Sequence, residues 1–164
     1  MGGGATDKTA IAVGVLTIGI GIIPVLVMLG ILPRGTPGPD PAPDWLGWMI
    51  GAVFVAAGII VVLKGLANSA NDASGLLPAS VPGPIRALHD LLSVGIVFGL
   101  AAMFTWVAFG PGPRHFAMSM SVGGLSVLTH GSGDMPGRIA FGFGAILFWC
   151  VAAAMALQTA RRWR

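Results

Sequence analysis

The stretch WLGWMIGAVFVAAGIIVVL, residues 45–63, runs nineteen positions without a charge. At a helical rise of about 1.5 Å per residue it reaches about 28 Å, close to the hydrocarbon thickness of a bilayer. Residues 9–33, 91–113 and 139–160 are equally free of charge. A soluble domain of 164 residues cannot bury four such runs. The chain therefore reads as an all-α membrane protein, a bundle of four transmembrane helices spanning about residues 9–32, 45–66, 86–109 and 138–160.

Composition supports a single membrane domain. The chain is 55% hydrophobic and 9% charged, so nearly all of it goes into the spans and their connections. Gly (26) and Pro (12) are abundant, as is common in membrane helices. The first apolar run is too long for the roughly 7–15-residue core of a signal peptide, and no small-x-small cleavage site follows it, so it is expected to stay as a helix. Residues 1–6 fit the pattern for N-myristoylation only formally, because a four-span protein of bacterial composition has no use for that lipid. The single cysteine, Cys150, excludes an intramolecular disulfide, a CxxC redox pair and a thiolate zinc cluster.

The connections carry distinct signals. Pro24 falls inside the first run and is expected to kink it. Pro33, Pro37, Pro39, Pro41 and Pro43 give the first loop a stiff, extended character. Asp7 suits the positive end of the first helix, and Asp44 is expected to cap the second. Trp45 and Trp48 mark the membrane interface. Pro84 signals the start of the third helix, with Arg86, His89 and Asp90 as a polar cluster in its first turns.

In the third loop, apolar Phe116, Met118, Met120 and Val122 alternate with small or polar residues up to Gly123-Gly124, and Leu125 to Thr129 follow. Alternation on both sides of a two-residue glycine turn predicts a β-hairpin over about 116–129, pairing Val122 with Leu125, Met120 with Val127 and Met118 with Thr129. An isolated hairpin is marginal in water, so its apolar face needs cover.

Small residues recur along the helices. Gly47, Gly51, Gly58 and Gly65 share one face of the second helix, and Gly95 and Gly99 repeat the spacing in the third. Such rows let a second backbone approach closely. The expected use of Gly47, Gly51, Gly58, Gly95 and Gly99 is packing within the bundle, with a partner interface as the alternative.

Two outer-loop groupings are candidate sites. Arg114 and Arg138, with Asp40, Asp44 and Asp134, either clamp an anion bidentately or tie the first and third loops together. His115, Met118, Met120 and His130 would offer copper or another soft metal imidazole and thioether ligands, although methionines on a hairpin face usually pack. Catalysis lacks the residues it needs. Thr17, Ser93, Thr105, Cys150 and Gln158 are the polar side chains in or near the spans, and such groups usually bond to their own helix. Proton-coupled export, haem ligation between spans and intramembrane proteolysis each need carboxylates or pairs missing from the spans. No cofactor is implied.

The side carrying Lys8, Lys64, Arg86, Arg161, Arg162 and Arg164 is the more basic; the other has Arg34, Arg114 and Arg138. Positive charge favours the cytoplasm, which places both termini there. The net charge of +3 thus reports orientation and not nucleic-acid binding.

The stretch from Phe104 through Gly110-Pro111-Gly112-Pro113-Arg114-His115-Phe116, together with Gly137-Arg138-Ile139-Ala140-Phe141-Gly142 and Asp44-Trp45, resembles small uncharacterised four-span bacterial inner-membrane proteins. The resemblance covers about half the chain. It implies a multi-pass inner-membrane location and a bundle fold, and it carries no site residues. The function expected is a non-enzymatic structural or accessory protein that associates with a membrane-protein partner or a second copy in the lipid bilayer. The alternative is a ligand- or metal-handling protein with its site on the outer face.

Overall fold

A computed structural model of the chain describes residues 7–34, 43–67, 76–111, 118–122, 125–129 and 135–162. It contains four long helices: α1 (Lys8–Met28), α2 (Asp44–Leu66), α3 (Gly83–Phe109) and α4 (Met135–Arg162). All four are long and apolar enough to cross a membrane. Between α3 and α4, β1 (Met118–Val122) pairs antiparallel with β2 (Leu125–Thr129), with Met120 opposite Val127. The turn residues 123–124 and all side chains of the two strands lie outside the described residues, so the fold class rests on the helices alone.

Helix ends follow local chemistry. The Asp7 carboxylate accepts from the Ala10 backbone N–H at 3.1 Å and caps α1. Pro24 lies within α1, which continues through it to Met28. The helix then stops four residues before the expected Leu32. Gly30 adopts φ +74°, Ile31 N–H donates to Leu26 C=O at 3.0 Å and Gly30 N–H to Val27 C=O at 3.1 Å. This is a Schellman stop, which a glycine enters without steric cost.

Arg34 completes that end by donating to the Met28 carbonyl at 3.2 Å while pairing with Asp44 at 3.1 Å. Asp44 is thus the first residue of α2, with Pro43 at the cap position and no side-chain cap bond. The expected Asp44 cap is not formed because its carboxylate is turned to Arg34. Pro84 occupies the first turn of α3, where its missing N–H has no helical role.

The helices pack in chain order: α1 on α2, α2 on α3, α3 on α4. Among the described residues no other helix pair exceeds a marginal contact, which leaves α1 and α4 at the edges of the row. Two seams of small residues hold it. In the first, Gly14 and Gly21 of α1 meet Gly58 and Gly51 of α2, and Gly65 lies against Ala10 and Ile11; all five glycines are buried. A Cβ on Gly58 would sit 2.6 Å from the Gly14 carbonyl oxygen, and one on Gly14 2.8 Å from that of Gly58. The two backbones touch there, which only glycine permits.

The second seam uses alanine. Ala101 and Ala108 of α3 and Ala145 and Ala152 of α4 are each at most 2% exposed. Seven-residue spacing in both seams keeps the small residues on one face of helices packed at a shallow crossing angle. Aromatic rings fill in around them. Phe104 packs against Phe141 and Phe148, with centroids 5.3 and 5.0 Å away, and its ring lies over Gly144. Trp149 Nε1 donates to Thr105 Oγ1 at 3.0 Å, a polar bond between α4 and α3 on their exposed flank.

Candidate functional site

Most of the outer-loop candidates fall outside the described residues: Asp40, Arg114, His115, His130 and Asp134. Met118 and Met120 lie on β1, and nothing of their side chains is described. Asp44 is engaged by Arg34, a first-loop arginine that appears in neither candidate grouping. Arg138 lies in the first turns of α4. The glycines divide by environment. Gly51 and Gly58 meet α1 backbone, Gly47 meets the Met28 side chain, and Gly99 meets Val53 and Met49 of α2. Gly95 meets nothing within 4 Å. It opens onto a groove of about 340 Å³ between α2 and α3, lined in part by Met49, Ala52, Ala56 and Ile96.

The intramembrane hydroxyls are bonded locally. Thr17, Ser93 and Thr105 donate to the carbonyls of Val13, His89 and Ala101 at 2.8, 2.8 and 2.7 Å. These are bonds to the preceding helical turn, as their position in apolar spans requires. Cys150 is exposed on α4 among apolar neighbours.

The polar centre lies at the opposite end of the molecule, where α3 begins and α4 ends. His89 (3% exposed) and Asp90 (9%) are the buried polar residues of the described chain. His89 Nδ1 lies 3.4 Å from Asp90 Oδ1, and Arg162 Nη1 donates to Asp90 Oδ2 at 3.5 Å. Both carboxylate oxygens are therefore in use. His89 Nε2 is buried with no partner among the described residues, and so is Arg86 Nε, one turn earlier on the same helix. A cavity of about 230 Å³ adjoins His89, lined also by Asp90 and Ser93 on α3 and by Gln158, Thr159 and Arg162 among others on α4.

The sequence places Arg86, His89 and Asp90 together because helical spacing does so. It does not reveal Arg162, which lies 72 positions from Asp90 and reads only as part of a basic tail. Among the described residues no group of three His, Cys, Asp or Glu side chains converges, so this centre lacks the donor set of a metal site. Comparison with protein families, curated proteins and solved structures finds no match to this chain.

Proposed function

We propose that this chain is a structural or accessory integral membrane protein that carries out no catalysis and associates with a helix of a partner membrane protein. The observation that supports the reading is the groove at Gly95. Glycine inside a helix costs about 1 kcal/mol relative to alanine, and at Gly14 and Gly58 the close helix approach offsets that cost. At Gly95 no contact among the described residues offsets it. The small lining residues Ala52 and Ala56 beside it suit a second helix at close range.

The finer parts of the reading rest on sequence. The six-to-three distribution of basic residues favours cytoplasmic termini in a bacterial inner membrane, with the first and third loops outside. The apolar face of a hairpin over about 116–129 gives the partner a second place to rest. The alternative, a ligand- or metal-handling role on the outer face, depends on Arg114, Arg138, His115, Met118, Met120 and His130.

Native mass spectrometry of the assembly, extracted from its own membrane in mild detergent, separates the two readings. A second polypeptide in fixed ratio to the 16.7 kDa chain supports the accessory role. A bare chain or homo-oligomer counts against it, and added mass from a metal or small molecule favours the outer-face site.

A further inference from the structure

The cavity at the α3–α4 end has in its wall a buried imidazole nitrogen with no partner among the described residues. Asp90 has given one oxygen to His89 and the other to Arg162. Unmatched among the described residues are His89 Nε2, buried at the cavity, and Arg86 Nε, one turn earlier on α3. Arg162 is about half exposed and has further guanidinium N–H groups beyond the one on Asp90, while the Thr159 hydroxyl and the Gln158 amide add neutral donors to the lining. Among the described residues where α3 begins and α4 ends, Arg86, Arg161 and Arg162 stand against a single carboxylate, Asp90. A buried nitrogen without a partner is costly, so His89 Nε2 at the cavity wall calls for a bound group to meet it.

We propose that this cavity binds a phosphate group. Phosphate oxygens accept from several N–H donors at once and suit a guanidinium that offers two parallel bonds. His89 holds Asp90 through Nδ1, which leaves Nε2 as the ring nitrogen able to meet the bound group. The site lies within the first turns of α3 and the last turns of α4, the level at which lipid headgroups meet membrane helices. An apolar groove between the same helices, lined by Ala87, Leu91, Val94, Ala156, Thr159 and Ala160, shares Thr159 with the cavity. That neighbour suits a phosphate carried on a membrane lipid, although a free phosphate has the same recognition chemistry.

The test uses the full chain, delipidated in detergent, with phosphatidylglycerol, inorganic phosphate and diacylglycerol as separate probes followed by native mass spectrometry. The expected result is one phosphatidylglycerol per chain and no comparable retention of diacylglycerol. Arg162→Gln, at a half-exposed position that tolerates the change, should weaken binding about tenfold or more through the loss of a charge-assisted bond. Asp90→Asn should strengthen it, because a negative charge next to the anion is removed. Inorganic phosphate that displaces the lipid would show that the phosphate alone is recognised. Lipid binding that phosphate does not displace would assign the site to the membrane lipid. Diacylglycerol retained as well as phosphatidylglycerol, or binding weakened by Asp90→Asn and untouched by Arg162→Gln, would overturn the proposal. So would no binding of either phosphate probe by a wild-type chain of full helical content.

Discussion

At the scale of single residues, the same residue type does opposite things along this chain. Gly58 lies against the Gly14 carbonyl with no space for a methyl group, whereas Gly95 faces open space. Gly58→Ala is expected to destabilise the purified protein by about 1–3 kcal/mol, since backbone is a poor neighbour to displace. Gly95→Ala is expected to leave stability unchanged or raise it by up to about 1 kcal/mol through helix propensity. Denaturant unfolding in micelles, followed by circular dichroism, measures both. Equal losses at the two positions would contradict the packing described here. The Arg34–Asp44 pair, 49% and 66% exposed, belongs to another class: Asp44→Asn should cost no more than about 1 kcal/mol. Sequence alone displays the glycine spacing but not which glycine has a neighbour. The Gly30 stop was visible in principle, as a glycine ahead of Pro33. It is hidden because Ile31 and Leu32 prolong the apolar run.

At the scale of elements, the four helices were legible because each is a long uncharged run, and apolar length is a signal that no local detail cancels. Their ends were less so. α1 stops at Met28 because of Gly30, and α4 begins at Met135, ahead of Arg138. The alanine seam between α3 and α4 went unread, since alanine is common all along α4 and only the fold shows that Ala145 and Ala152 are the buried ones. That seam makes a prediction. Ala152→Leu should separate α3 from α4 and lower stability by about 1–3 kcal/mol, whereas enlarging exposed Cys150 to Met should have little effect. Trp149→Phe removes the donor to Thr105 but leaves Thr105 bonded to Ala101, so its cost should be near 0.6 kcal/mol, the usual order for a hydrogen bond between membrane helices. A much larger loss would mean that the Trp149 ring, packed edge-on to Phe98 at 4.7 Å, matters more than its N–H.

At the scale of the whole molecule, helix order and the polar centre could not be read from the sequence. Four apolar runs look alike, and nothing local says that α1 and α4 flank a row. Arg162 meets Asp90 only because α3 and α4 are antiparallel neighbours. Orientation is accessible to labelling. In a Cys150→Ala background, Pro33→Cys should react with an impermeant thiol reagent on intact cells, and Ser80→Cys only after the membrane is opened. The reverse pattern would place the termini outside. The accessory role itself turns on whether the groove at Gly95 is occupied by another protein. A photo-crosslinking residue in place of Ile96, which lines that groove, addresses it in the native membrane, with one in place of the fully buried Ala101 as the internal control. If a partner helix fills the groove, position 96 gives a discrete adduct with one other polypeptide and position 101 gives none. Adducts to lipid alone from position 96 would contradict it.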